Sequence, residues 1–464
     1  MRVNKFDGIT FFIVVQPFHK TKPVTQKLTN QTHGILPYRF EVFGETQNYL
    51  QAIVLWLSRK INIDKNSSLL YVVKSQLNYS TIMQIKRRDF VKILALAGIL
   101  PEQFLPLQNL GMNSIDRNDP SADNLKSMPI PGNIDKVYDE AIVHDGLIIT
   151  RNWNEASFEA LQKSGYTGFN ASLDSGNLAN ALKNLNEWQN RIKENPGRLV
   201  LAKSAEDFIN AKKEKKVAVM LGFQNSTIIE NSIDNLDTLY KAGTRWMQLT
   251  YNERNLLGDG CTERTNAGLS DFGIEAVARM NELGIIIDLS HCGVQTTNDG
   301  IKFSKTGASI NHSMCEALHK NHPRAKTDEQ IRAMADKGGV MGIICLGYMI
   351  GPNLGIDTTL ETYVDHIAHA VKIGGIDHVG LASDFAIQGL QASGATRENW
   401  YVPRLTRFKP SYKVQWPPWI PELDTTDRYR HVVRLLDKRG FSTGDIEKIL
   451  GQNWLRFFRE TLKS

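Results

Sequence analysis

From about residue 138 onward, short runs rich in Val, Ile, Leu and Met alternate with longer stretches whose apolar residues recur every three or four positions. The short runs fall at 141–149, 168–173, 217–223, 246–251, 285–290, 308–311, 340–346 and 379–383. They are apolar nearly throughout rather than at every second residue, as in strands buried on both faces of a parallel sheet. Segments 270–283 and 327–337 carry the helical spacing, with Ser270 and Thr327 in front as N-caps. Eight such strands alternating with helices predict an α/β fold, a (β/α)8 TIM barrel, over roughly 300 residues. An open doubly wound sheet fits less well, because no glycine-rich phosphate loop follows the first strand. Residues 387–425 break the pattern, with Trp400, Tyr401, Tyr412, Trp416 and Trp419 among several prolines. They predict a long ordered loop, read as a lid over the barrel mouth.

Ahead of the barrel the pattern changes. Residues 1–82 show no sustained helical period, and their apolar runs at 11–15 and 53–57 fall short of the roughly 20 residues that span a bilayer. At 83–92 the chain reads Met-Gln-Ile-Lys-Arg-Arg-Asp-Phe-Val-Lys, followed by an apolar stretch at 93–100. This order resembles a twin-arginine export signal. Such signals work at the start of a chain, so Met83 reads as the initiator and 1–82 as an upstream extension. The rival is an amphipathic helix joining two domains. The expected organisation is 1–82 without a defined fold, 83–127 as signal and linker, and 128–464 as the barrel. The expected location is periplasmic or extracytoplasmic, reached through the twin-arginine machinery.

The net charge of +6 follows this division. Residues 1–82 hold ten basic and four acidic side chains, whereas 101–464 hold 41 and 44. A slightly acidic barrel argues against a nucleic-acid backbone as partner. The four cysteines, Cys261, Cys292, Cys315 and Cys345, form no C-x-x-C pair and read as buried free thiols.

Reactive groups in such a barrel collect where strands end. Three predicted strands end in metal-type side chains: 285–291 in His291, 308–312 in His312 and 379–384 in Asp384. Two imidazoles and a carboxylate from separate strands suit zinc with room left for water.

Several ordered motifs, Ala242-Gly243-Thr244-Arg245-Trp246, Gly268-Leu269-Ser270-Asp271-Phe272-Gly273, Asp288-Leu289-Ser290-His291, Asn321-His322-Pro323-Arg324 and Gly451-Gln452-Asn453-Trp454, extend the comparison. Over roughly 138–464 the chain resembles the membrane (renal) dipeptidase-type metallopeptidases. The resemblance implies a barrel of the metallo-dependent hydrolase type, two zinc ions at its mouth and hydrolysis of dipeptides. It implies that His291 and His312 bind the second zinc, that Asp384 holds the attacking water and that Arg324 orients the substrate carboxylate. The family's His-x-Asp pair for the first zinc falls on Leu147 and Ile149, its bridging Glu on Gln224, and its substrate-side His on Tyr251. Strand alternation places 145, 147 and 149 on one face and His144 on the other. The expectation is therefore one zinc ion on His291 and His312, with Gln224 or Asp145 as further ligand. Asp384 takes the proton, Arg324 and Tyr251 meet the substrate, and that substrate is a dipeptide or small amide.

The remaining polar groups are assigned bland roles. Glu253, Arg254, Asp259 and Glu263 read as a solvated loop, and His366 and His369 as packed groups on an outer helix. His319 and His322 read as loop residues flanking Arg324, and Cys292 and Cys315 as thiols near the site histidines rather than ligands. The rival function is a non-catalytic exported protein that binds a small molecule or peptide. A homodimer is left open. N-terminal sequencing of the secreted protein is expected to find no peptide from 1–82, and such peptides would remove the reading of 1–82 as an upstream extension.

Overall fold

The computed structural model describes residues 134–463 apart from 175 and 352–357, together with four short strand segments before residue 43. The segments Asn4–Phe6 and Ile9–Phe11 pair antiparallel, as do Ile13–Pro17 and Tyr38–Val42. They belong to one compact unit, Met1–Asn124, and the barrel belongs to a second, Leu125–Ser464. The signal expected at 83–100 lies outside the described residues.

The second unit is built on eight parallel strands: β1 (His144–Ile149), β2 (Gly168–Leu173), β3 (Val217–Phe223), β4 (Trp246–Gln248), β5 (Ile286–Asp288), β6 (Ser309–Ser313), β7 (Val340–Ile344) and β8 (Val379–Ala382). Each pairs with the next in chain order. The circle closes where the chain leaves β8. The Asp384 amide donates to the Leu147 carbonyl at 3.0 Å, and the Ile149 amide to Phe385 at 2.9 Å. The predicted (β/α)8 barrel is the observed fold. One short strand, Leu199–Leu201, lies outside the circle against β3 and has no counterpart in the sequence expectation.

Local signals set the helices. Ser270 caps Asp271–Leu283 by accepting from the Gly273 amide, and Thr327 forms a capping box with Gln330 before Asp328–Asp336. Such caps contribute about 1 kcal/mol each. The last helix, Asn453–Thr461, sends Trp454 into the base of the barrel, where it joins Leu147, Met220, Trp246 and Ile286 in one buried cluster. Gly380 makes room for it: a Cβ there would lie 2.3 Å from the indole nitrogen.

Strand β1 departs from simple alternation. Asp145 pairs with Phe169 and Ile148 with Ala171, so three steps on β1 match two on β2. This extra residue reverses the faces on its two sides. Leu147 and Ile149 pack into the interior cluster with Trp454. Asp145 faces the opposite way, accepting from the Ser383 amide at 2.9 Å and from the Tyr166 hydroxyl at 3.4 Å. His144 packs inward, its ring 5.6 Å from Trp454 and 5.1 Å from Phe458. The alternation that grouped 145 with 147 and 149 is thus broken by the bulge.

The segment 387–425 is ordered. It contains a helical turn at Arg397–Tyr401, the helix Val402–Arg407 and short turns at Pro410–Tyr412 and Pro421–Leu423. It is tied to the strand-end loops: Lys409 Nζ donates to the Thr262 carbonyl at 2.8 Å, and the Gly347 amide to Pro418 at 2.8 Å.

Candidate active site at the strand ends

Strands β5 and β6 set the centre. Asp288 accepts from the Ser290 amide, the Ser309 hydroxyl and the Asn311 amide, joining the two strand ends beneath the site. His291 and His312 emerge just beyond, both buried, with their Nε2 atoms 3.0 Å apart. His291 Nδ1 donates to Asn252 Oδ1 at 2.7 Å, and His312 Nδ1 to Asn311 Oδ1 at 2.5 Å. Ser290 helps fix Asn311, since its hydroxyl accepts from the His312 amide and donates to Asn311 Oδ1.

With both Nδ1 protons so used, each Nε2 carries a lone pair directed at the other. Two facing lone pairs repel unless a cation or shared proton lies between them. A proton is disfavoured: burial, with Arg324 close behind, holds both imidazoles well below their ordinary pKa. The donor pair thus fits a divalent ion that takes imidazole, each ring oriented by an outer amide oxygen. Among the described residues no group of three or more His, Cys, Asp or Glu side chains converges as a metal shell. The pair supplies two ligands.

The other expected residues are placed as follows. Asp384 sits half-buried at the closing seam, with φ at 56°. Burial raises its pKa to about 7, against the pull of Arg324 and Arg404. Tyr251 lies flat on His291, ring centroids 4.1 Å apart and planes within 20°. Gln224 Nε2 donates to Ser172 Oγ at 2.9 Å on the neighbouring strand end. Asp145 is on the outward face described above. Neither joins the histidine pair.

Arg324 is fully enclosed and each of its nitrogens is engaged. Nε donates to the Ser290 carbonyl at 2.9 Å, Nη2 to the His312 carbonyl at 2.6 Å and Nη1 to the Tyr412 hydroxyl at 3.0 Å. It therefore spans the backbones that carry both histidines. Lys326 lies nearby, donating to the Cys292 carbonyl at 3.1 Å and to Thr297 Oγ1 at 2.9 Å.

The loop after β4 is more than a solvated one. Asp259 is buried and accepts from Arg254, Thr265 and the Ala267 amide. This knot sets Asn252, whose carbonyl takes two bonds from Thr262, and so orients His291. His366 and His369 are bound to Ile350 and Asp328, and His319 to Met349. The Cys292 and Cys315 thiols contact Thr250 and the His366 carbonyl instead of the site.

Sequence reasoning missed Asn252, Asn311 and Tyr412.

Comparison with known proteins fits this geometry. The model of the membrane dipeptidase family, peptidase family M19, matches residues 152–404. Dipeptidase verJ of Clonostachys rogersoniana is 29% identical over 261 residues, 56% of this chain and 59% of that protein. An uncharacterized dipeptidase of Schizosaccharomyces pombe is 32% identical over 263 residues, 55% of this chain and 56% of that protein. The chain thus spans somewhat under two thirds of these curated relatives. The crystal structure of an amidohydrolase from Pseudomonas aeruginosa is 30% identical, with a TM-score of 0.63, covering 71% of this chain and 99% of that one. A family M19 metallopeptidase, dipeptidase AC, shares the fold at 17% identity and a TM-score of 0.59, covering 70% of this chain and 100% of that one.

Removing the Arg324 brace should be costly. Arg324→Met leaves the Ser290 and His312 carbonyls without donors and is expected to cost about 3 kcal/mol or more, read as a lower urea midpoint. A solvent-facing substrate arm would leave the midpoint unchanged.

Proposed function

The chain belongs to the membrane dipeptidase family of dipeptidase-like hydrolases, and on that premise we propose that it cleaves the amide bond of dipeptides or related small amides with one zinc ion held by His291 and His312. The observation that carries this reading is the facing Nε2 pair at 3.0 Å, each ring fixed by an amide oxygen behind it. Zinc bound there would polarise the scissile carbonyl and lower the pKa of water. The interior positions 147 and 149 hold Leu and Ile, which offer a metal nothing, and this supports one ion rather than two.

The chain's own residues supply the rest. Asp384 accepts the proton of the attacking water at its carboxylate. A pKa near 7 suits it to take that proton and return it to the leaving amine at neutral pH. Tyr251, stacked on His291, forms one wall for the substrate and keeps water from that face of the ring. The names of the dipeptidases from Clonostachys rogersoniana and Schizosaccharomyces pombe support the choice of dipeptides. Export is part of the proposal, supported by the order of basic and apolar residues at 83–100.

Two measurements test it. The purified chain is expected to hold about one zinc ion, with both metal and dipeptide turnover lost in His291→Ala. A protein with neither metal nor turnover is a binding protein instead. The rate of wild type is expected to rise with pH as the Asp384 carboxylate forms, since a raised pKa leaves it protonated below about 7. Asp384→Asn should lower the rate by about 10²- to 10⁴-fold and flatten that limb. A limb that survives the substitution assigns the proton to another group.

A further inference from the structure

We propose that Asp145 is a positioning residue for Asp384: with Tyr166 and Arg428 it forms a buried relay that clamps the chain on both sides of that carboxylate and fixes where it points. The inference rests on the reading above, in which Asp384 takes the proton of the attacking water.

Asp384 needs such a clamp. Its φ of 56° lies in the left-handed region, which a residue with a Cβ keeps only where its surroundings dictate it. On the side of Ser383 the hold is Asp145, a fully buried carboxylate. Its Oδ1 accepts from the Ser383 amide at 2.9 Å and from the Leu147 amide at 3.0 Å. The Leu147 carbonyl in turn accepts from the Asp384 amide at 3.0 Å and from the Ser383 hydroxyl at 3.2 Å. One carboxylate thus ties residue 383 to the strand on which residue 384 is hung.

On the other side the hold is Arg428, also fully buried. Its Nη2 donates to the Ala386 carbonyl at 3.2 Å and to the Ile387 carbonyl at 3.0 Å, and its Nε to the Leu423 carbonyl at 2.9 Å. Its guanidinium lies 5.7 Å from the Phe385 ring. The remaining nitrogen, Nη1, donates to the Tyr166 hydroxyl at 3.1 Å, and that hydroxyl donates to Asp145 Oδ2 at 3.4 Å. Tyr429 stacks on the Tyr166 ring, centroids 5.3 Å apart and planes within 16°, and keeps the phenol in line. Two buried charges are therefore coupled through one hydroxyl, where water does not screen them. Removing that hydroxyl uncouples the two holds and frees the segment between them.

The experiment measures kcat and KM for alanyl-alanine, with zinc content, in wild type, Tyr166→Phe, Asp145→Ala, Asp145→Asn, Asp384→Asn and the Tyr166→Phe/Asp384→Asn pair. Crystal structures of wild type and Tyr166→Phe give the position of the Asp384 carboxylate independently of any activity. Tyr166→Phe keeps the ring and is expected to lower kcat by about tenfold, with KM and zinc content unchanged and the carboxylate displaced. Asp145→Asn still offers an oxygen to both amides and is expected to lose less than Asp145→Ala. A group that acts only through Asp384 adds nothing once that carboxylate is gone, so the paired variant is expected to match Asp384→Asn alone. A full further loss in the pair, the sign of a merely structural role, overturns the inference. So does an unmoved carboxylate in Tyr166→Phe, whatever the rate. If wild type hydrolyses nothing, the dipeptidase reading falls and the two structures alone decide: a displaced carboxylate supports the clamp, and an unmoved one overturns it.

Discussion

The Arg324 guanidinium is the constraint on which the rest of the site hangs. Taken out of water, a cation of this size costs several kcal/mol unless its donors are met. Here the donors are met by carbonyls of the two residues, Ser290 and His312, that end neighbouring strands, and by a phenol from the mouth loop. Meeting that demand fixes how far apart the two strand ends can lie. The 3.0 Å separation of the imidazole nitrogens follows from it, as does the seating of the loop through Tyr412. Asp288 does the corresponding work from below, tying the same two strands through three bonds.

Around this clamp the site is asymmetric. One half, at β5 and β6, is polar and preorganised, with every imidazole oriented by an amide. The other, where β8 meets β1, is apolar apart from Asp384, and Leu147 and Ile149 join the interior packing. The sheet closes through backbone bonds at that seam. The polar half supplies the facing imidazole pair, and the seam supplies a carboxylate of raised pKa.

The eight strands were legible because burial on both faces writes apolar runs into the chain, and the observed strands fall within or beside the predicted ones. The placing of His291, His312 and Asp384 at strand ends was legible because the apolar runs stop there. What escaped depends on contacts distant in sequence. Tyr412 reaches Arg324 across 88 positions, and no local pattern announces it. The bulge in β1 is a single extra residue, invisible to a rule of strict alternation, yet it turns Asp145 away from Leu147 and toward Tyr166 and the Ser383 amide. The bonds of Arg324 were hidden for a related reason: two of its three partners are main-chain oxygens, which a sequence does not display.

Trp454 carries a consequence of another kind. The indole that fills the floor of the barrel comes from the helix Asn453–Thr461, which follows all eight strands in the chain. During synthesis, therefore, every strand can leave the ribosome while the floor is still missing. Contacts between β1 and this helix join residues about 300 apart, and closing a loop of that length is slow and comes late. Until then Leu147, Met220, Trp246 and Ile286 face a hollow, and the nascent barrel must be shielded from aggregation by something other than its own core.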